Sequence, residues 1–148
     1  MSALTEIAQR HGLSVVYLFG SRAQEGAAYL EDGRAASDSG SDLDIAVGFE
    51  KPPEDAVHAF GVIYKDLSAI FEPFAIDLVF VHEANPLFRY EIIKGVRVYE
   101  TDPDAADALE ERVIKIAADL AVKKRIMDRE ILEAIRDGYR EIGYDANR

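Results

Sequence analysis

Read by the spacing of its apolar positions, the chain divides into alternating helical and strand-like segments. Leu4, Ile7 and Ala8 share one side of a short helix over Ser2–His11, and Gly12 suits its C-terminal end. Ser14–Phe19 (SVVYLF) is β-branched and aromatic and predicts a strand that stops at Gly20-Ser21. Arg22 and Ala23 begin a turn or two of helical pattern. Glu25–Gly40, with Gly26, Gly33, Gly40 and a Ser37-Asp38-Ser39 run, keeps no sustained period and reads as a loop. A second strand is expected from Asp42 through Val47.

Pro52-Pro53 marks the next turn, and Glu54 and Asp55 favour a helix start. The helix is predicted over Asp55–Phe71, where Val57, Phe60, Ile63, Tyr64, Leu67 and Phe71 recur at spacings of three and four. Phe74–Val81 (FAIDLVFV) is a nearly continuous apolar strand whose one charge is Asp77. Asn85-Pro86 starts a short helix through Lys94, Gly95 ends it, and Val96–Tyr99 forms a last strand. Two strand-and-helix alternations of this kind indicate an α+β, α/β-like chain.

Asp104–Tyr139 is the longest periodic segment. On one ideal helix Val113, Ile116, Leu120, Met127, Ile131 and Ile135 share a face, opposite Arg125, Arg129, Arg136 and Arg140. Such a helix, on the order of 50 Å long, exceeds a domain of this size. The expectation is a break near Lys123-Lys124 or a helix projecting toward a partner. The Arg face is ordinarily a solvated one, yet in this chain it is the preferred surface for an acidic partner.

A length of 148 residues fits one domain. Residues 1–100 are expected to form its core, with an insertion at about 25–40, and 101–148 a helical extension of the same domain. At 49% hydrophobic and 30% charged residues the chain is an ordinary globular sequence, which excludes the disordered and low-complexity classes. It has no cysteine, which removes disulfides, thiolate-bound metals and cysteine nucleophiles together. No apolar run reaches the ~20 residues of a membrane span, and Met1–Gln9 lacks a secretory signal's basic start, so a cytoplasmic location without membrane contact is expected.

The net charge is −11, from 17 Lys and Arg against 28 Asp and Glu. That field opposes non-specific phosphate-backbone binding, so no direct nucleic acid partner is expected. His11, His58 and His82 are too far apart in sequence to suggest a zinc site. Neither a Gly-x-Ser-x-Gly elbow nor a Gly-rich Lys loop occurs, which argues against serine hydrolases and P-loop enzymes.

What remains is a constellation: Gly20-Ser21 after the first strand, Asp42-Leu43-Asp44 opening the second, and Asp77 inside the third. Side chains two apart on a strand share a face, so Asp42 and Asp44 present adjacent carboxylates, and Asp77 joins them if the third strand lies beside the second. Three such carboxylates repel one another unless a hard cation sits among them, and Mg²⁺ is the usual one. A small-residue turn into a helix N-terminus offers N–H groups and a hydroxyl to a phosphate. The combination points to Mg²⁺-dependent phosphoryl or nucleotidyl transfer.

GSRA at Gly20–Ala23, SDLDIAV at Ser41–Val47 and IDLVFV at Ile76–Val81 together resemble the polymerase-β-type nucleotidyltransferases, over about residues 14–100. NPLFRYEIIKGVRVYE at Asn85–Glu100 is similar to the closing segment of the minimal nucleotidyltransferases of the MntA antitoxin type, encoded beside HepT-type HEPN toxins. The resemblance implies a short mixed sheet packed by helices, with Mg²⁺ held by Asp42, Asp44 and Asp77. It implies catalysis by the same three aspartates, Asp77 helping to activate the acceptor hydroxyl. ATP would be bound through Gly20 and Ser21, with Arg22 assisting. It further implies transfer of AMP from ATP to a tyrosine of a HEPN-type ribonuclease toxin, which silences the toxin, and a hetero-oligomer with it.

The chain departs from the family in spacing: 20 residues separate Ser21 from Asp42, more than is usual, hence the inferred insertion. Ser37-Asp38 duplicates Ser41-Asp42, but only Asp42 is followed by a second Asp at the required spacing. Two other readings stand beside this one: neutralisation of the partner by binding, with a vestigial site, and nucleotidyl transfer to a small molecule.

Overall fold

A computed structural model describes the chain over residues 1–33 and 41–141, the side chains of 139–141 excepted. Helix α1 (Ala3–His11) starts where the Ser2 hydroxyl accepts from the Thr5 N–H and ends at Gly12, whose φ of 66° is the left-handed conformation of a helix stop. Strand β1 (Leu13–Phe19), helix α2 (Ala23–Asp32), strand β2 (Leu43–Phe49) and helix α3 (Ala56–Ile70) follow. Strand β3 (Ile76–Phe80), a short 3₁₀ turn, helix α4 (Pro86–Ile93), strand β4 (Val96–Glu100) and helix α5 (Pro103–Glu141) complete the order. Asp55 caps α3 through the His58 N–H, and Asn85 caps α4 through the Phe88 N–H.

The four strands form one mixed sheet in the order β3-β2-β1-β4. β1 runs antiparallel to both neighbours, while β2 and β3 are parallel and joined through α3. Both faces are covered, which is why β1 and β2 are apolar almost throughout rather than alternating. One face carries Val16, Leu18, Leu43, Ile45 and Val47 against Leu4 and Ile7 of α1 and Ile63 and Leu67 of α3. The other carries Val15, Tyr17, Phe19 and Ala46 against Ile92 of α4 and Ala106 of α5.

Two expectations are corrected. The segment read as a loop from Glu25 is helical through Asp32; the rest of that stretch, residues 34–40 with Ser37-Asp38, lies outside the described residues. Gly26 sits inside that helix. A Cβ there would lie 2.8 Å from Leu43 Cδ1 and 3.0 Å from Leu18 Cδ1, so its glycine serves close packing of helix on sheet, not a turn. The apolar stripe of α3 is only half core: Ile63 and Leu67, with Phe71 just beyond the helix, are buried, whereas Val57 is 85% exposed. Of the two alternatives for the last helix, the unbroken one holds: α5 continues through Lys123-Lys124 and, at 39 residues, is about 58 Å long.

Only the first half of α5 packs on the body. Ala106, Val113 and Ala117 are buried, and every residue from Ala121 to Gly138 is exposed. A polar clamp fixes that first half. The Tyr17 hydroxyl donates to Glu110 at 2.8 Å, and Arg97 donates to Glu110 at 2.5 Å and to Asp107 at 2.9 Å. Burial, and next the Glu110 carboxylate, push the Tyr17 phenol well above its ordinary pKa, so it stays a donor. Among the described residues no helix is long and apolar enough to cross a membrane.

Candidate functional site

The motif residues meet at one end of the sheet. Gly20 ends β1 with φ +74°, a conformation costly for any residue with a Cβ. A Cβ there would also run into the Asp44 carboxylate, so the glycine is what lets that carboxylate lie against the turn. Ser21 is exposed beside it, and α2 begins two residues on with no side chain capping its first turn. The backbone N–H groups of a helix N-terminus and a free-standing hydroxyl therefore lie next to the carboxylates, a suitable seat for phosphate.

Asp42 is exposed and immediately precedes β2; Asp44 is the strand's second residue and is half-buried. Parallel pairing sets Asp44 directly across from Asp77, and antiparallel pairing sets it across from Phe19. Asp44 and Asp77 are therefore lateral neighbours on one face, the face that α4 and α5 cover further along. Burial, and then the charges of Asp77 and Asp42, raise the Asp44 carboxyl above the usual carboxylate range. Asp44 thus feels the charges of both Asp77 and Asp42.

Among the described residues, no three His, Cys, Asp or Glu side chains are gathered closely enough to enclose a metal ion by themselves. The aspartates form an open set instead. Mg²⁺ commonly takes one or two carboxylates and completes its octahedron with phosphate oxygens and water, and an all-oxygen donor set in which Asp44 faces two like charges fits it. The histidines are elsewhere: His11 pairs with Asp66 at 2.7 Å, His58 is exposed on α3, and His82 stacks on Phe80.

Arg22 is placed differently from the expectation that it assists at the triphosphate. It is only 8% exposed, donates to the Ser41 carbonyl at 2.8 Å and to Glu25 at 3.1 Å, and its guanidinium lies 4.6 Å from the centre of the Phe74 ring. These contacts turn it inward. They tie the turn after β1 to the residue before Asp42, so Arg22 holds the two motif segments together across the sequence that separates them.

The motif reading missed a groove of about 350 Å³ beside Asp77, lined by Phe60, Leu78, Val79, Phe80, Asn85 and Phe88 among others. Phe60 and Phe88 arrive from α3 and α4, on either side of β3. Spacing did not single them out: Phe60 fell within the apolar stripe expected on the sheet, and Phe88 within the short helix after Asn85-Pro86. Phe88 packs edge-on against Phe19, with ring centres 5.7 Å apart.

Residues 2–104 match the family described as Polymerase beta, Nucleotidyltransferase. No curated protein matches the sequence. Among solved structures, a chain from a toxin–antitoxin complex with AMP-PNP superimposes with a TM-score of 0.64 at 16% identity, covering 88% of this chain and 96% of that one. A chain from the MntA–HepT toxin–antitoxin gives 0.59 at 15% identity, covering 87% and 93%. A chain from the tri-AMPylated Shewanella oneidensis HEPN toxin in complex with MNT antitoxin gives 0.59 at 16%, covering 87% and 92%. At these identities the likeness is one of fold.

Proposed function

The chain belongs to the polymerase β nucleotidyltransferase family, and we propose that it is an antitoxin that transfers AMP from ATP to a tyrosine of a HEPN-type toxin. The observation that carries the chemistry is the register of Asp44 on Asp77, with Gly20 shaped to the Asp44 carboxylate. The fold shared with MntA–HepT and with the complex of a tri-AMPylated HEPN toxin supports this choice of acceptor and partner.

Asp42 and Asp44, with Asp77 completing the set, would hold Mg²⁺, which when bound neutralises phosphate charge and orients the reacting oxygens. The chain's own groups supply the rest. Ser21 and the first turn of α2 take the terminal phosphates of ATP. Asp77, at the far side of Asp44, accepts the proton of the tyrosine hydroxyl. The phenolic oxygen forms a bond to the α-phosphorus as the bond to the pyrophosphate oxygen breaks, and pyrophosphate leaves on the Ser21 side. A cytoplasmic setting, where ATP and Mg²⁺ are supplied, belongs to the same reading.

The test is intact-mass spectrometry of a co-expressed HEPN-type protein after incubation with this chain, ATP and Mg²⁺. Mass gains in AMP-sized steps are expected with the wild type and none with the Asp42→Asn/Asp44→Asn double variant. Transfer that survives in a correctly folded double variant refutes the mechanism. A second reading, neutralisation by binding alone, is favoured by one feature, the exposed run of α5 from Ala121 to Gly138. It predicts a stable complex and full protection by the double variant. Transfer to a small molecule has less support, since α5 is an extended helix and not a second lobe that would enclose such an acceptor.

A further inference from the structure

The groove beside Asp77 is lined by Glu83 and Asn85 as well as by apolar side chains. Leu78 and Phe80 line it although they are only 3% and 2% exposed, their side chains being packed in the core. The Phe80 ring packs against that of Phe60, with centres 5.7 Å apart, and the backbone of β3 runs along the same groove. The Leu43 N–H donates to the Ala75 carbonyl, so in this parallel ladder the N–H and C=O groups of Asp77 and Val79 turn toward β2. Those of Ile76, Leu78 and Phe80 then turn the other way, and β3 is an edge strand. The groove therefore combines an open strand edge with two half-exposed aromatic rings, Phe60 at 39% and Phe88 at 36% exposure.

In-line displacement decides which reactant belongs there. The seat for the leaving phosphates is Gly20-Ser21 at the end of β1, and the sheet order runs from β1 through β2 to β3. The attacking oxygen enters opposite the leaving group, which is the β3 side. Leu78 and Val79 follow Asp77 directly, within about 3–7 Å along the strand. A volume of about 350 Å³ is at the small end for ligand sites and suits one aromatic side chain rather than a whole nucleotide.

Resting on the nucleotidyl-transfer reading above, we propose that the acceptor's tyrosine is delivered on an extended segment that pairs with the open edge of β3, its ring seated between Phe60 and Phe88. The strand pairing supplies affinity independent of sequence, and the aromatic groove selects the residue. The hydroxyl then lies over Asp77, which takes its proton as the phenolic oxygen bonds to the α-phosphorus and pyrophosphate departs.

The test uses the full chain with a short capped peptide carrying one central tyrosine, its phenylalanine counterpart, and AMP-PNP. Phe60→Ala and Phe88→Ala are each expected to raise KM for the tyrosine peptide about tenfold and to leave the Kd for AMP-PNP unchanged. Val57→Ala, 85% exposed on the same helix and outside the groove, is expected to change neither. The phenylalanine peptide should compete with the tyrosine peptide and shift the amide resonances of Leu78 and Phe80. Loss of AMP-PNP affinity with KM unmoved would assign the groove to the adenine ring and overturn the proposal, as would no change in either constant.

If Phe88→Ala fails to fold, because Phe88 packs on Phe19, the more exposed Phe60 still decides the matter. If the wild type transfers AMP to no acceptor, the activity reading fails by itself. The groove is then judged by the Leu78 and Phe80 amides: peptide-induced shifts support the docking mode, and their absence overturns it.

Discussion

Replacing Asp44 by Asn should stabilise the protein at neutral pH while abolishing transfer. Asp44 stands directly across from Asp77, and strands are about 4.8 Å apart, which sets the two carboxylates at about 6 Å once the side chains splay. Coulomb repulsion at that separation is about 0.7 kcal/mol in bulk water and about 3 kcal/mol at an effective dielectric constant of 20. Asp77 is exposed and Asp44 half-buried, so the lower part of that range applies, about 1 kcal/mol. For a chain of this length that corresponds to a rise in Tm of about 2–4 °C.

The pH dependence gives the stricter test. The folded-state pKa of Asp44 is raised, by burial first and by Asp77 and Asp42 next. A carboxyl of that kind favours the folded state fully only below its unfolded value, about 3.9, and that advantage is lost as pH rises through the folded value. Wild type and Asp44→Asn should therefore melt together at pH 3, separate through the carboxylate range and differ by the full amount at pH 7. Adding Mg²⁺ at pH 7 should raise the wild-type Tm and close part of the gap. Calorimetric or circular-dichroism melts at the two pH values suffice. A lower Tm for Asp44→Asn at pH 7, or a gap that persists at pH 3, refutes the view of these aspartates as a strained, cation-seeking set.

Gly20→Ala places a Cβ at positive φ and against the Asp44 carboxylate; a loss of about 1–2 kcal/mol in stability and at least a tenfold fall in AMP transfer are expected, read by melts and intact mass. Arg22→Ala removes the bonds to Ser41 and Glu25 and the stacking on Phe74. A destabilisation of about 1–3 kcal/mol in urea titration is expected, and Arg22→Lys should not restore it, because the planar fork is what reaches several partners at once. Ending the chain after Ala121 should leave stability within about 0.5 kcal/mol. Ending it before Asp102 should unfold much of the population, since it removes buried Ala106, Val113 and Ala117 and strips Tyr17 of Glu110.

The parts of the fold that were legible are those in which local pattern and tertiary environment agree. The β-branched run of β1, the Ser2 cap and Gly12 stop of α1, and the Asn85-Pro86 start of α4 are local signals, and each element lies within a residue or two of its expected bounds. The relation of Asp44 to Asp77 was legible only as a condition, since parallel pairing is a non-local fact that no spacing within either strand contains. Gly26 shows the opposite limit: a glycine is a turn signal locally, and only the proximity of Leu18 and Leu43 reveals it as a packing residue. Arg22 is a similar case: its part at the phosphates was implied by the resemblance alone, and its bond to the Ser41 carbonyl and its contact with Phe74 are tertiary facts that no local spacing contains.

The long helix separates what a periodic pattern encodes from what it leaves open. Val113 and Met127 lie on the same apolar face of α5, yet Val113 is 5% exposed and Met127 is 59% exposed. Periodicity thus predicts that a face seeks cover without saying from where. For the first half the cover is the body, and the polar bonds of Glu110 and Asp107 to Tyr17 and Arg97 fix its position. Beyond Ala121 intrinsic helix propensity and charged pairs must sustain the helix unaided, at a length where isolated helices are marginal. A stretch that exposes Ile126, Met127, Ile131, Leu132 and Ile135 at half or more of their surface gains most of its stability once another surface covers it. The body therefore packs on α5 only as far as Ala121, and the remainder is available for a partner.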